Sequence, residues 1–309
     1  MIVCCGEALI DFLPRKLPDG AAVYRPLNGG SIFNTAIALG RLGIPAGFFS
    51  GISTDFFGDS LREGLKSSRV DLRYTKIWDR PSTLAFVKLD GGHARYSFFD
   101  DNSAGRMLTA KDLPRLAADV TALHFGSISL IAEPGASTLE ALMKREAKKR
   151  VICLDPNIRP TVVKHRRSYL ARLNRLIAMC DILKISDEDV VWMTGKSDLA
   201  AAARKWLKAG AKIVAVTKGG DGVEAFTTGF SLSLPAKPVQ VADTVGAGDT
   251  FTAGLLAALT TAKLLTKPSL AAIARPQLDA ALDYSARAAA ITVSRPGADP
   301  PWMHEMTKA

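Results

Sequence analysis

Short apolar runs alternate with amphipathic helical patterns along most of this 309-residue chain. The apolar runs show no internal alternation, which is typical of strands covered on both faces of a parallel sheet. They predict strands at 2–5, 48–51, 122–125, 151–154, 182–185 and 213–217, and the helical patterns between them predict helices over 31–42, 137–149, 168–179 and 199–209. Three of these helices have a serine as candidate N-cap: Ser31, Ser137 and Ser168. We therefore expect an α/β fold with a three-layer α/β/α core around a mostly parallel sheet.

Two turn-rich stretches with alternating apolar and polar residues, 13–27 and 74–99, interrupt this order. Within the second, residues 83–98 have the pattern of a β-hairpin closed by a glycine-containing turn at 90–93. We expect the two stretches to form a small separate sheet at the edge of the core, where it would cover a site as a lid. The core would then comprise three segments: 1–12, 28–73 and 100–309. An edge meander without a functional role is the alternative.

The composition is that of a folded globular protein, since 48% of the residues are hydrophobic and 23% are charged. The longest uncharged stretch, 26–40, contains asparagine and glycine and falls short of the ~18 apolar residues that a membrane span needs. The amino terminus lacks the basic segment followed by an apolar one that marks a signal peptide. We therefore expect a cytoplasmic protein without a membrane partner.

The net charge of +10, from 40 basic and 30 acidic side chains, is compatible with a nucleic-acid surface, an anionic substrate or a solvated cationic face. The densest basic runs, 144–150 and 164–167, carry no interleaved aromatic residues, which favours a solvated helix face and no nucleic-acid partner. The cysteines fall in apolar runs without C-x-x-C spacing. We expect all of them to be reduced core residues: Cys4, Cys5, Cys153 and Cys180.

The most informative segment is a loop of small residues, 243–249, which leads from an alternating strand pattern at 239–242 into an apolar helix. Small residues at a helix amino terminus leave backbone N–H groups exposed, and the helix dipole adds partial positive charge, so the loop is a candidate anion site. Asp249 in this turn is either a plain N-cap or a general base for a hydroxyl that attacks a phosphoryl group. The adjacent anion site favours the general base. The sequence contains no Walker A loop, dinucleotide fingerprint or metal-spaced Cys/His cluster.

A second group of polar residues follows the first predicted strand. Asp11 comes shortly after that strand, Gly29 and Gly30 precede the first predicted helix, and Asn34 lies in its first turn. Ligands of open α/β sheets bind at the carboxyl ends of the strands. A carboxylate, an amide and two glycines that permit close backbone approach suit a polyol with many hydroxyls. The alternatives are an end-of-strand turn for Asp11, a tight turn for the glycines and a helix-surface position for Asn34.

Two long motifs resemble the signatures of one enzyme family. Residues 243–254 match the carboxy-terminal signature of the ribokinase-like (PfkB-type) carbohydrate kinases, and residues 29–36, with Gly43 and Gly51 downstream, match the amino-terminal one. The resemblance covers essentially the whole chain. Within the family, three segments are most similar to bacterial fructokinases: 5–11, 155–159 and 184–189.

The resemblance implies a role for each motif. Asp249 would be the catalytic base, and the amides of Gly246, Ala247 and Gly248 would form the anion hole. The acceptor sugar would be bound by five residues: Asp11, Gly29, Gly30, Asn34 and Arg159. The Arg159 guanidinium would contact either the acceptor or the γ-phosphate, and a surface position without a functional role is its alternative.

The resemblance also implies ATP and Mg²⁺ as cofactors. Thr217, Gly219 and Gly222 match a family loop near the nucleotide, although such a glycine pattern alone is more often a turn. The family's N-x-x-E element corresponds to residues 186–189, and Ser186 and Asp189 replace both of its outer residues. We expect Ser186 to lie at the ATP site and Asp189 to hold Mg²⁺ through water. An exposed helix-cap cluster is the alternative.

Two further expectations come from the resemblance. Many family members bind a monovalent cation, and a K⁺ site here would use backbone oxygens near Asp243 and Val245 and the loop 292–297. Several relatives form dimers through the lid, and we expect the same of this chain, since exposed strand edges favour pairing with a second copy.

The end of the second lid stretch bears on the acceptor. Asp100 and Asp101 follow it, and acids near a desolvated site repel an anionic acceptor, whereas Arg159 would favour one. We expect transfer of the γ-phosphoryl group of ATP to O6 of D-fructose. The alternatives are a kinase for 2-keto-3-deoxygluconate or ribose, and a catalytically silent regulator that binds nucleotide or sugar.

Overall fold

The computed structural model of the chain describes residues 1–90 and 93–307, with side chains described for 1–87 and 97–307. The turn predicted at 90–93 contains Gly91 and Gly92, which lie outside the described residues. The last two residues of the predicted core range, 308 and 309, lie outside them as well.

The helices and strands of the described residues alternate along most of the chain. The strands are β1 (Ile2–Cys5), β2 (Leu9–Lys16), β3 (Ala22–Gly29), β4 (Ala46–Phe49), β5 (Gly51–Ser53), β6 (Val70–Asp71), β7 (Lys76–Trp78), β8 (Thr83–Asp90), β9 (His93–Phe99), β10 (Ala122–Gly126), β11 (Val151–Asp155), β12 (Ile182–Ser186), β13 (Ile213–Thr217), β14 (Val223–Phe226) and β15 (Ser231–Leu234). The helices are α1 (Ser31–Arg41), α2 (Phe56–Ser67), α3 (Gly135–Glu146), α4 (Arg166–Ile177), α5 (Asp187–Thr194), α6 (Leu199–Ala209), α7 (Ala247–Thr261), α8 (Lys267–Ala271) and α9 (Arg275–Val293).

A nine-stranded sheet in the order β15-β14-β13-β12-β11-β10-β1-β4-β6 forms the centre of the molecule. All neighbouring strands pair in parallel except at β14, which is antiparallel to both β13 and β15. Alternate residues of a strand face opposite sides of the sheet. In β1, Ile2 and Cys4 belong to the core with α1 and α7, whereas Val3 and Cys5 belong to the core with α3 and α4. The predicted three-layer α/β/α fold is therefore confirmed.

A separate four-stranded sheet has the order β3-β2-β8-β9, which confirms the small sheet that the sequence predicts. β2 and β8 are parallel, and the two outer pairs are antiparallel. The first half of this sheet runs from Leu9 to Gly29, so Asp11 lies in the small sheet. Residues 76–78 pair instead with β5. The domain boundaries and the lid function stay predictions.

The helix starts differ from the sequence analysis at the candidate N-cap serines, and those three predictions are wrong. The observed N-caps are Gly30, Pro134 and His165. All three serines lie inside the helices, and two of their hydroxyls have carboxylate partners. Ser31 donates to Asp249, and Ser137 donates to Glu133.

All four cysteines are buried free thiols, which confirms their predicted place in the core. Burial raises the pKa of each of these thiols, so none of them is activated as a thiolate. Of the helices in the described ranges, none is long and apolar enough to cross a bilayer.

Candidate active site

The first turn of α7 is the predicted anion site. The strand predicted just before it, at 239–242, is wrong, since this part of the chain is irregular and the Val241 side chain is 62% exposed. Gly246 is the N-cap and has left-handed backbone angles, φ 77° and ψ −1°. A Cβ at Gly246 would lie 2.7 Å from the Ala298 Cβ, so both conformation and space require glycine.

The three residues of this turn, Gly246 to Gly248, are half-buried. The Ala247 amide donates to the Thr244 carbonyl at 3.3 Å. Within the described part of the chain, the amides of Gly246 and Gly248 donate to no protein acceptor. Two free amides at the positive end of a fifteen-residue helix are suited to an anion.

Asp249 lies in the first turn of α7, but it is not an N-cap. Its side chain is buried, with 6% exposure for the residue, and its two oxygens accept hydrogen bonds from Ser31 Oγ at 2.6 Å and Asn34 Nδ2 at 2.9 Å. Burial raises the pKa of Asp249, the two hydrogen bonds lower it, Asp155 raises it and Lys184 lowers it. A carboxylate whose pKa is raised toward neutral pH is a better general base.

A chain of hydrogen bonds orients Asp249. Ser31 Oγ, which donates to Asp249, accepts from Asn157 Nδ2 at 2.9 Å. Asn157 Oδ1 in turn accepts from Arg159 Nη1 at 2.6 Å. Sequence reasoning missed Ser31 and Asn157 as functional residues. The available signal was that both lie inside the motifs that carry the family resemblance.

Asp11 faces the same space as Asp249 and Arg159. Burial raises the pKa of Asp11 to about 6, the Arg159 charge opposes this and the Asp249 charge adds to it. The structure therefore brings three of the predicted acceptor residues, Asp11, Asn34 and Arg159, together with the predicted base, since Asn34 hydrogen-bonds to Asp249. Asn34 is accordingly not a helix-surface residue without contacts.

The two glycines have local structural roles. Gly29 is the last residue of β3, and a Cβ there would overlap the Asp11 carboxylate. Gly30 has φ 104°, and a Cβ there would lie 3.1 Å from the Glu7 carbonyl oxygen. Position 30 therefore requires glycine, whereas a side chain at position 29 would displace the Asp11 carboxylate. Contact of either glycine with an acceptor stays a prediction.

The two acids after β9 do not share one environment. Asp100 is partly buried and accepts hydrogen bonds at 2.6 Å from the hydroxyls of Thr83 and Ser103, and burial raises its pKa. The Asp101 side chain is 95% exposed and pairs with Arg106, so the expectation that it repels an acceptor is wrong. Two acids that lie near Arg159 in the site are Asp11 and Asp249.

The residues predicted for ATP lie at the carboxyl ends of two neighbouring strands. Ser186 of β12 and Thr217 of β13 are register partners. Ser186 Oγ accepts from the Asp189 amide at 3.0 Å as the N-cap of α5. Gly219 and Gly222 have φ of 53° and 92°. A Cβ on Gly219 would meet no atom within 4 Å, whereas a Cβ on Gly222 would lie 2.1 Å from the Leu234 carbonyl oxygen, so the turn is open at Gly219 and closely packed at Gly222.

Asp189 is buried, which argues against the exposed helix-cap alternative. Its carboxylate oxygens accept from the Ile158 amide at 3.2 Å, and burial raises its pKa to about 6. Mg²⁺ is usually held by one or two carboxylates together with substrate phosphates and water. A single carboxylate therefore fits Mg²⁺ that arrives with a nucleotide. Among the described residues, no group of three or more His, Cys, Asp or Glu side chains is placed to bind a metal alone.

Asp243 links the two segments predicted for a monovalent cation. Its carboxylate accepts from the Val245 amide at 3.0 Å and from the Gly297 amide at 2.9 Å. The loop before α7 and the segment 292–297 therefore lie side by side, as a K⁺ site between their backbone oxygens would require. The site itself stays a prediction.

Comparison with known proteins identifies the family of the chain. The family described as pfkB family carbohydrate kinase matches residues 1–305. The chain is 54% identical to a fructokinase of Rhizobium leguminosarum bv. trifolii over 273 residues, which are 88% of this chain and 84% of the relative. The chain belongs to the pfkB family of carbohydrate kinases and is a phosphotransferase that acts on a sugar hydroxyl.

Two solved structures are similar to it. The fructokinase with bound ATP from Xylella fastidiosa has a TM-score of 0.90 and 26% identity, covering 99% of this chain and 97% of that one. The fructokinase from Vibrio cholerae O395 in its fructose, ADP and calcium ion bound form has a TM-score of 0.83 and 25% identity, covering 96% and 94%.

Proposed function

We propose that the protein is an ATP-dependent fructokinase that transfers the γ-phosphoryl group of ATP to O6 of D-fructose, giving fructose 6-phosphate and ADP. The observation that carries this proposal is the position of Asp249, a buried carboxylate beside two free amides at the start of α7. The 54% identical relative from Rhizobium is a fructokinase, and the Vibrio structure contains fructose and ADP.

In this mechanism Asp249 is the general base. Asp11, Asn34 and the Gly29-Gly30 backbone hold the hydroxyls of the sugar and bring O6 toward Asp249. As O6 attacks the γ-phosphorus, its proton moves to Asp249, the O6–P bond forms, and the bond from phosphorus to the β-phosphate oxygen breaks with its electrons leaving on ADP. Positioning and charge stabilisation supply most of the rate in such a transfer.

The remaining predicted residues would bind ATP and its associated metal ions. The amides of Gly246 to Gly248 would stabilise the transferring phosphoryl group. Thr217, Gly219 and Gly222, with Ser186, would line the ATP site. Mg²⁺ would neutralise phosphate charge, with Asp189 holding it through water. K⁺ between the backbone oxygens near Asp243 and Val245 and the segment 292–297 would support the turn from behind.

The charges of the site favour a neutral acceptor. Asp11 and Asp249 face the acceptor space, and the Arg159 guanidinium donates to the Asn157 amide oxygen at 2.6 Å. An acceptor carboxylate, as in 2-keto-3-deoxygluconate, would meet two acids and would compete with that hydrogen bond. Fructose and ribose carry no such charge.

The small sheet is proposed as a lid and as a dimer surface. Asp11 and the buried Ala85 are register partners on one face, which would close over the sugar and exclude water. Aromatic rings cover the other face, where the centroid of the Phe86 ring lies 4.5–5.5 Å from the ring centroids of Phe12, Tyr24 and Phe99. Tyr24 is 49% exposed and Phe99 is 61% exposed, and a second copy would bury them. A monomeric mass by light scattering at micromolar concentration would contradict the dimer.

A substrate panel tests the function. ADP release is measured with fructose, ribose, 2-keto-3-deoxygluconate and fructose 6-phosphate at equal concentrations, and the product is identified by enzymatic assay for fructose 6-phosphate. We expect the highest kcat/KM with fructose and phosphorylation at O6. A higher value for another sugar would replace the acceptor and leave the kinase assignment intact. Binding of ATP and sugar without ADP release would favour the silent regulator.

A further inference from the structure

A buried lysine lies directly against the proposed anion hole. Lys184, on β12, is 5% exposed, and its Nζ donates to Asp155 Oδ2 at 2.9 Å. A Cβ built on Gly248 would lie 2.9 Å from Lys184 Nζ, so the ammonium contacts the first turn of α7 from the side of the sheet. The absence of a side chain at Gly248 is what leaves room for it.

This position is unfavourable for a positive charge in the protein without ligand. An ammonium near the amino terminus of a helix meets the positive end of the helix dipole, and its burial removes hydration. Burial lowers the pKa of Lys184, but the charge and the hydrogen bond of Asp155 more than offset this and hold the pKa above its ordinary value. Lys184 is therefore charged, and an anion at the turn would gain from that charge.

The groups around the pair fix its geometry. Thr252 Oγ1, one turn along α7, lies 3.5 Å from Asp155 Oδ2 and donates to the Gly248 carbonyl at 3.1 Å. His124 is fully buried next to them, and burial lowers its pKa to about 4, so this imidazole is neutral. The ammonium is thus held by one carboxylate from β11 and lies beside a helix that carries the proposed base.

We propose that Lys184 is a positioning residue for phosphoryl transfer, whose fixed positive charge behind the Gly248 amide stabilises the transferring phosphoryl group through the first turn of α7. This inference rests on the proposed roles of Asp249 and the α7 amides. The competing explanation is that Lys184 and Asp155 form an ion pair that only joins β11 to β12.

Removing Lys184 alone would leave the Asp155 carboxylate buried and unpaired, which is strongly destabilising. Removing Asp155 alone would leave the buried lysine without the partner that keeps it charged. The test therefore compares the wild-type protein with the double variant Lys184→Met/Asp155→Asn, in which both buried charges are gone. Folding is checked by circular dichroism and urea unfolding. Relative to the wild-type protein, we expect the double variant to lose about 10- to 100-fold in kcat, less than the ~10²–10³-fold lost with a direct oxyanion donor, while the KM for sugar stays within about twofold.

A second measurement separates charge stabilisation from structure. The affinities for ATP and for ADP with aluminium fluoride, a mimic of the transferring phosphoryl group, are measured by calorimetry in the presence of fructose. We expect the double variant to lose more affinity for the mimic than for ATP, because the charge acts on the transferring group. Equal losses, or a folded double variant with the kcat of the wild-type protein, would overturn the proposal.

Lys267 and Asp181 provide a matched control. They form an ion pair at 2.6 Å at the start of β12, and Lys267→Met/Asp181→Asn should lower stability without changing kcat. If this control loses kcat to the same extent, the effect of the Lys184 variant is structural. If the wild-type protein phosphorylates no sugar of the panel, the proposed function fails. If the wild-type protein phosphorylates a sugar and the folded double variant has the same kcat, the inference about Lys184 fails alone.

Discussion

Asp249→Asn is the most direct test of the active site because the two side chains have the same size. Asparagine keeps one acceptor oxygen and replaces the other with an NH₂ donor, so one of the donors, Ser31 or Asn34, loses its acceptor. An unsatisfied buried donor costs about 1–3 kcal/mol. Part of this loss is offset, because burial raises the pKa of Asp249 and its ionised form is therefore unfavourable in the folded protein. We expect the free energy of unfolding to decrease by about 1–2 kcal/mol.

The effect on catalysis should be larger. Loss of a general base reduces kcat by roughly 10²–10⁴-fold, or about 3–5 kcal/mol in the barrier. The assay is coupled ADP release at saturating ATP and fructose, with ATP affinity by calorimetry and stability by urea unfolding. Asp181→Asn is the control, since Asp181 is a buried carboxylate that accepts from the Ile152 amide and from Lys267 at the opposite end of β12. Near-normal kcat in a folded Asp249→Asn protein would remove Asp249 from the role of base.

Three further predictions address the supports of the site. Ser31→Ala removes one hydrogen bond to Asp249, and we expect kcat to fall about tenfold and the acidic limb of the kcat profile to move to higher pH, with ATP affinity unchanged as measured by calorimetry. Gly246→Ala should weaken ATP binding and should lower the free energy of unfolding by more than the ~1–2 kcal/mol that a left-handed backbone costs alanine. Gly195 is the control, because it has φ 70° but open space around it, so Gly195→Ala should lower the free energy of unfolding by the backbone strain alone. Burial raises the pKa of Glu7 to about 7, so the folded state binds its proton more tightly than the unfolded state and stability falls as pH rises from about 4.5 to 7. In Glu7→Gln, the decrease in the free energy of unfolding between pH 5 and pH 7.5, measured with urea, should be smaller by about 1–3 kcal/mol. A decrease equal to that of the wild-type protein would contradict the burial argument.

The sequence predicted the elements whose signal is local. The strands at 2–5 and 213–217 and the helix at 199–209 have their predicted bounds, because unbroken apolar runs and helical spacing are set by nearby residues. The strand predicted at 239–242 is wrong because alternating valines are also found in an exposed, irregular segment, where no neighbouring strand pairs with them. Local pattern does not specify a pairing partner.

The same limit applies to the candidate site. Asp249 and Asp11 were identified from motifs, but what surrounds them depends on contacts between residues far apart in the chain, such as Ser31 with Asp249 across 218 positions. Ser31 has the sequence pattern of an N-cap, and only the packing of α1 against α7 shows that its hydroxyl donates to a carboxylate.

The role of Lys184 likewise depends on the charged groups that the fold places around it. In the sequence it is a lysine inside an apolar strand, a position that usually disfavours the assignment of a core strand. In the fold it lies between Asp155 and the first turn of α7, and the charge of Asp249 also raises its pKa. Carboxylates therefore balance the charge of the lysine, and a phosphoryl group would add a further negative charge next to the helix amides. A site built in this way favours the ligand that completes its charge balance, which explains why a buried lysine is tolerated at a helix amino terminus.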